Sequence, residues 1–262
     1  MNYKIFPKAL FSPNSIALVG ASGNLKKNSA RPLRYLLKYG YKGKIYLVNP
    51  NTKEIQGLQT VASIKNLPMG IEHLFVMVHA KKIKDVLEQA IGKNVKVMTI
   101  FSDGFAEKNA RGRSLQTQLV EMGRRAGVRI LGPNSMGIID THTKFTLSVN
   151  AVLERSQLLK GKIGLVSQSG TLLGTLLSRG ETRGIGFSKL ISVGNECDLG
   201  VAEVSQFLMD DPNTEVVVLF LESIRDPDAL AQMAMRAHSI GKPVIVYKLG
   251  HSEVGRQLAV SH

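Results

Sequence analysis

Cysteine occurs once in the 262 residues, at Cys197, and tryptophan not at all. A single thiol excludes an intramolecular disulfide and points to a reducing compartment. With only six scattered histidines beside it, a zinc cage has no ligand set, and no metal is expected. No apolar run approaches the roughly 20 residues that span a bilayer. The basic first ten residues lack the apolar stretch and small-residue cleavage site of a secretory signal, so a cytoplasmic protein is expected. The pattern G-x-x-x-x-G-K-[ST] is absent, which excludes a P-loop for ATP. Carboxylates are missing from residues 1–50, where nine Lys or Arg stand; the first acid is Glu54. Residues 201–262 reverse that balance, with eight acids against five bases. A basic first unit in a chain of net charge +14 suits a polyanionic ligand. Without a helix-turn-helix pattern, an aromatic sheet motif or any Trp, nucleic acid is not the expected polyanion.

With 44% apolar and 21% charged residues the chain can bury a real core. Short β-branched runs alternate with helical patterns from end to end, which predicts parallel α/β architecture in two doubly wound units. In the first, strands are expected at 15–19, 44–49, 71–78, 95–101 and 128–131, and helices at 30–39, 81–92 and 110–126. Residues 132–160 show no clear period and end in a charged cluster, so the boundary is placed there: 1–140 as the first domain, 141–160 as a linker, 161–262 as the second. The alternation restarts with strands at 162–166, 187–193, 215–221 and 243–247 and helices at 171–183, 201–209 and 227–240.

Each unit opens with a strand that runs into a small, Gly- and Ser-rich turn before a helix, the place where open parallel sheets bind ligands. The first turn is Gly20-Ala21-Ser22-Gly23-Asn24. Its glycines let the backbone approach a ligand, and helix N-terminal amides can hold phosphate oxygens. The spacing is not G-x-G-x-x-G, and the second strand ends Val48-Asn49-Pro50 without the acid that grips a nicotinamide ribose. Phosphates fit here and NAD does not. The second turn, Ser167-Gln168-Ser169-Gly170, forms an equivalent anion seat. Ser169 reads equally as a helix N-cap; a nucleophile elbow is excluded because Ser167 stands where that motif needs Gly. Gly194-Asn195-Glu196 and Leu221-Glu222-Ser223 end two further strands, with Glu222 a solvated acid on the local pattern alone.

Taken in order, Val19-Gly20-Ala21-Ser22, Val48-Asn49-Pro50, Gly132-Pro133-Asn134, the run Ile163 to Gly170, Ser192-Val193-Gly194-Asn195 and Asp210 to Thr214 resemble the CoA-binding and CoA-ligase domains of NDP-forming acyl-CoA synthetases. That family includes the ADP-forming acetate–CoA ligases and the succinyl-CoA synthetase alpha subunit. The likeness covers nearly everything from Phe11 onward. It implies a Rossmann-like CoA-binding domain followed by a flavodoxin-like α/β domain. It implies a ligase that forms acyl-CoA, ADP and phosphate through an acyl phosphate and a phosphohistidine.

On this resemblance Ser261-His262 begins the family's Ser-His-Thr-Gly segment, so His262 is the phosphorylated residue and Glu222 the glutamate that hydrogen-bonds it. CoA is expected at Gly20, Ala21, Ser22, Gly23 and Asn24, at Asn49 and Pro50, at Val78, His79 and Ala80, and at Ser102, Asp103 and Gly104. Asn51 and Thr52 stand where many relatives carry a base, which leaves Lys53, Lys26 and Lys27 to meet CoA phosphates. Phosphate and acyl contacts are expected from Ser167, Gln168, Ser169, Gly170, Gly194 and Asn195. ATP and Mg would belong to an ATP-grasp domain or subunit, the partner of a chain expected to stop at its phosphohistidine loop; a small carboxylic acid is the co-substrate, and an oligomer is expected. The alternative is a non-catalytic CoA- or nucleotide-sensing regulatory module, which would need neither Glu222 nor His262.

Overall fold

The structure is a computed structural model that describes residues 5–250. After a short helix, α1 (Ile5–Phe11), the first unit runs β1 (Ser15–Val19), α2 (Arg31–Tyr39), β2 (Lys44–Val48), β3 (Glu54–Ile55), β4 (Leu58–Val61), β5 (His73–Val76), α3 (Ile83–Gly92), β6 (Val97–Ile100), α4 (Ala110–Ala126) and β7 (Arg129–Leu131). The second continues with β8 (Gly137–Asp140), β9 (Phe145–Ser148), β10 (Lys160–Ser167), α5 (Gly170–Glu181), β11 (Phe187–Ser192), α6 (Val201–Met209), β12 (Val216–Leu221), α7 (Pro227–Ser239) and β13 (Val244–Lys248).

The first sheet has the order β3-β4-β2-β1-β5-β6-β7, parallel throughout except for the β3–β4 hairpin. Without β3 this is the doubly wound dinucleotide-fold order, with its crevice where the chain leaves β1. Register fixes what meets there. Val19 lies beside Val48 on one side and Val76 on the other, and Val76 beside Ile100. Residues 20, 49, 77 and 101 therefore leave the sheet side by side. The second sheet, β13-β12-β10-β11-β8-β9, has a parallel core in which Ser167 lies beside both Ser192 and Phe220. Residues 168, 193 and 221 emerge together in the same way.

Three stretches depart from the sequence expectation, two of them α1 and the β3–β4 hairpin, where no element is expected. Residues 132–160, without a readable period, hold the hairpin β8–β9, which extends the second sheet antiparallel to β11. Phe145–Ser148, inside the span expected to be a linker, is thus an edge strand of that sheet. All eight residues of the hairpin strands are buried; β8, Gly137-Ile138-Ile139-Asp140, has no apolar–polar alternation, whereas β9, Phe145-Thr146-Leu147-Ser148, has one within a stretch read as aperiodic.

The units share one core. Leu10, Leu33 and Leu36 of the first pack in a single apolar cluster with Phe145, Leu147 and Val193 of the second. Polar contacts frame it. Lys38 Nζ donates to the carbonyls of Leu153 (3.1 Å), Glu154 (2.6 Å) and Arg155 (2.8 Å), which neutralises a bend no strand partner could satisfy. On the opposite side Asp198, its side chain 1% exposed, accepts from Arg124 Nε (2.9 Å), Arg129 Nε (2.8 Å) and the Ile130 amide (2.9 Å). Arg129 also grips Glu203 through both of its terminal nitrogens at 2.7 Å.

Two predictions follow from buried groups. Asp198→Ala removes the acceptor for two guanidinium groups and one amide, and is expected to cost about 3–5 kcal/mol, read as a lowered urea midpoint. His73 is fully buried, with Nδ1 bonded to Ala9 O (3.0 Å) and Nε2 to Thr99 Oγ1 (2.7 Å). Burial lowers its pKa from 6.5 to about 4, against a small upward pull from the Ala9 carbonyl. The unfolded chain therefore binds the proton first as pH falls. Stability from this residue should be intact above about 6.5 and lost progressively between about 6.5 and about 4. Urea titrations at pH 7 and pH 5 should show that slope in the wild type and a flatter one in His73→Gln.

Candidate functional site

At the carboxyl edge of the first sheet the chain turns sharply. Gly20 has φ +85°, and a Cβ there would lie 2.8 Å from Val78 Cγ1, so only glycine lets the strands close together. Its amide donates to Val48 O (3.0 Å). The turn is self-braced: Asn24 N donates to Ser22 Oγ (3.1 Å) and Lys26 N to Asn24 Oδ1 (3.0 Å). Asn49 Nδ2 donates to Ala21 O (2.9 Å), while its Oδ1 accepts from the Asn51 amide (2.8 Å). Ser102 Oγ donates to Val78 O, and Ala80 Cβ lies 3.4 Å from where a Cβ of Gly104 would sit. The structure thus brings the segments 20–24, 49–50, 78–80 and 102–104 to one edge. Lys26, Lys27, Pro50, His79 and Asp103 are exposed, and the His79 ring accepts from the Lys81 amide (3.3 Å).

At the second sheet the same residue types do different work. Ser167 is buried and its hydroxyl donates to Ser169 O (2.7 Å). Ser169 Oγ accepts from Leu172 N (3.4 Å), so it is the N-cap of α5, the plainer of its two sequence readings. Gln168 spends its carboxamide on Glu196, Glu222 and Ser223. Gly170 presses on Met136: an added Cβ would lie 2.2 Å from Met136 Cγ. Gly194, at φ +56°, would place a Cβ 2.2 Å from Pro133 O, which packs this turn against the segment that leaves the first sheet. Asn195 N donates to Pro133 O (2.9 Å) and Asn195 Nδ2 to Gln116 Oε1 (3.1 Å). Glu222 is half-buried at the end of β12, with its carbonyl accepting from Lys248 Nζ (2.9 Å). His262 lies outside the described residues.

Between the two edges is a cavity of about 1220 Å³. The first unit lines it with Glu107, Arg113 and Gln116, the second with the start of α5, the Gly194-Asn195 turn, Glu222, Ser223 and Arg225. The N-terminus of α5 forms part of this wall, with the Leu172 amide capped by Ser169. Glu107 joins the two edges. Its Oε1 accepts from the amides of Gly104 (2.6 Å) and Phe105 (3.0 Å), and its Oε2 from Asn195 Nδ2. Burial pushes this carboxyl up, but the Phe105 amide, the Asn195 amide group and the Gly104 amide outweigh it and hold it below the usual range. Glu196 goes the other way, raised by burial against the pull of Val201 N, Gln168 and Arg225. Burial first and Asp198 second push the Cys197 thiol upward, which disfavours its thiolate. Among the described residues no group of three His, Cys, Asp or Glu could hold a metal ion, and no helix is long and apolar enough to cross a membrane.

Glu107, Arg113 and Gln116 are absent from the sequence-based site. Asn195 and Glu107 are 88 positions apart, and α4 carries no motif, so only the docking of the two units reveals them.

A Rossmann-like unit followed by a flavodoxin-like one, with a cavity walled by residues of both, defines the class. Residues 14–141 match the family described as CoA binding domain, and residues 160–262 match the succinyl-CoA ligase like flavodoxin domain. The chain is 37% identical over 259 residues to the alpha subunit of acetate–CoA ligase [ADP-forming] I of Pyrococcus furiosus, covering 97% of this chain and 55% of that one. It is 34% identical to acetate–CoA ligase [ADP-forming] II of Archaeoglobus fulgidus, covering 97% of this chain and 37% of that protein. Among solved structures, the dinucleotide-forming acetyl-coenzyme A synthetase 1 of Ca. Korarchaeum cryptofilum, in complex with phosphate and ADP, superposes with a TM-score of 0.88 at 33% identity, over 97% of this chain and 54% of that one. The chain belongs to the NDP-forming acyl-CoA synthetase family, of which it holds the CoA-binding and first ligase domains. It spans about half the length of the alpha-subunit relative and about a third of the longer one.

The close approach at Gly170 carries a prediction. Gly170→Ala should overpack against Met136 and lower stability by about 1–3 kcal/mol. Met136→Ala should restore most of that loss when combined with it, a coupling that a double-mutant cycle in urea reads directly.

Proposed function

We propose that the chain is the CoA-binding and phosphohistidine-bearing part of an ADP-forming acyl-CoA synthetase, working with an ATP-grasp domain or subunit that supplies ATP and Mg. The observation that carries this reading is a cavity walled by Phe101, Glu107, Arg113 and Gln116 of the first unit and by the turns of the second, with Glu107 tying the 102–104 turn to Asn195. In this reading the turn at 20–24 and the segments 49–50, 78–80 and 102–104 hold CoA, with Lys26 and Lys27 near its phosphates. The exposed stretch from Gly23 to Lys27 supports it, because it sets two lysines beside backbone that a pyrophosphate could approach. The thiol end of CoA would then reach from the first edge into the cavity.

His262 accepts the γ-phosphoryl group of ATP on a ring nitrogen, and ADP leaves. Glu222, on the other ring nitrogen, fixes the tautomer and stabilises the positive charge that develops on the imidazole. The phosphoryl group passes to an oxygen of a small carboxylic acid, which regenerates His262 and gives an acyl phosphate. The amides at the start of α5 hold the phosphoryl oxygens during both transfers. The CoA sulfur, having lost its proton, then bonds to the acyl carbon as the bond from that carbon to the phosphate oxygen breaks. Acyl-CoA and inorganic phosphate are released.

Calorimetry on the 262-residue chain should show CoA binding that weakens as salt rises, because the exposed lysines meet phosphates. Tighter binding of NAD than of CoA would overturn the CoA assignment. The synthetase assembled with its ATP-grasp part and given labelled ATP should acquire an acid-labile, base-stable phosphate. That label should vanish in His262→Asn, with CoA affinity unchanged, and fall in Glu222→Gln. A label that persists in His262→Asn removes this residue from the mechanism.

A further inference from the structure

Gln168 follows β10 and is 8% exposed, yet it borders the cavity. Its carboxamide offers two hydrogens and two acceptor positions, and the chain itself uses all four. Nε2 donates to Glu196 Oε2 (2.8 Å) and to Ser223 O (2.9 Å). Oε1 accepts from the amides of Glu222 (2.5 Å) and Ser223 (2.9 Å). The orientation is fixed by chemistry, since a carboxylate and a carbonyl can only accept and two backbone amides can only donate. Nothing remains for a ligand. Glu196 is pinned in turn: its Oε1 accepts from Val201 N at the start of α6 (2.6 Å), and Arg225 Nε lies 3.6 Å from its Oε2.

We propose that Gln168 is a positioning residue, which holds the Glu222 backbone through the chain α6–Glu196–Gln168 and so sets where the Glu222 carboxylate meets its partner. The proposal rests on the reading of Glu222 given above. A side chain that only filled space would need neither the donors nor the acceptor. A residue that touched phosphate would not have both amide hydrogens committed to the protein.

Hydrogen exchange on the 262-residue chain tests the geometry. Gln168→Met keeps length and apolar volume but loses all four bonds, and should speed exchange of the Glu222 and Ser223 amides roughly tenfold. Exchange within β10 and β11 should stay as in the wild type. Gln168→Glu retains the acceptor for both amides but faces Glu196 with a second carboxylate. Its exchange at 222 and 223, taken as a ratio to the wild type at the same pH, should be near one at low pH, where one proton bridges the carboxylates, and should rise with pH; packing alone leaves that ratio flat. In the assembled synthetase, Gln168→Met should slow phosphoryl transfer at least tenfold, with KM for CoA unchanged. A wild-type enzyme that never becomes labelled overturns the reading of Glu222 and with it this role. A labelled wild type with equal labelling rate in Gln168→Met, or unchanged exchange at 222 and 223, overturns the positioning role alone. Where Gln168→Met does not fold, the pH profile of Gln168→Glu decides, and a flat profile overturns the proposal.

Discussion

The buried carboxylate of Asp198 fixes how the two units face each other. It draws two arginines of the first unit and the amide of Ile130 onto a turn of the second. A desolvated carboxylate with three donors gains well-formed charge-assisted bonds, and it tolerates no slippage, because losing any donor leaves charge without water. The backbone follows: Cys197 N reaches Gly132 O (3.0 Å), and Leu199 N reaches Ile130 O (3.1 Å). With that stretch pinned, Gly194 and Asn195 have one place to go, against Pro133. There Asn195 meets Glu107, and the edge of the second sheet is tied to the 102–104 turn of the first.

Ion pairs of this kind usually set geometry more than they stabilise, and the apolar cluster shared by both units supplies the area term. The division suits a cavity whose walls come from both sides. Apolar packing between α2 and β9 lets the units close, and the polar set at Asp198 and Glu107 decides the angle. The charges around the cavity fit that arrangement: Glu107 is held ionised by amides, while Glu196 is raised by burial and shares its oxygens between an N-terminal amide of α6 and Gln168. Two acids a few residues from the same turns are thereby pushed in opposite directions by what surrounds them.

Much of the fold could be read directly from the sequence because parallel strands and their helices announce themselves by period. Helices 110–126 and 201–209 and strand 15–19 begin and end where the pattern places them. Of the β8–β9 hairpin, β8 carries no alternation and could not be read, whereas Phe145-Thr146-Leu147-Ser148 of β9 does alternate and was legible by its period. The turns Gly20–Asn24 and Ser167–Gly170 were legible as places, since Gly and Ser after a strand have a mechanical meaning. Ser169 as helix cap was legible too, because its partner, the Leu172 amide, is three residues on. The role of Gln168 was not: it bonds three residues up to 55 positions away, partners that only topology brings in. Glu107 is the extreme case: an acid between a loop and a helix, indistinguishable in the string from a solvated one.

These side-chain contacts bear on what the site can recognise. Asn49, Ser102, Ser167, Ser169, Gln168 and Asn195, six of the polar residues that a ligand would be expected to touch, are each hydrogen-bonded to the protein's own backbone or side chains. The exposed side chains at the first edge include those of Lys26, Lys27, Pro50, His79 and Asp103, beside a glycine-containing turn. Backbone amides in such turns read negative charge and shape rather than the identity of a functional group. Anion binding in such a site depends on the turns staying where they are. The polar side chains secure that by bonding to one another, so a change at one of them acts on the ligand by displacing backbone rather than by removing a contact.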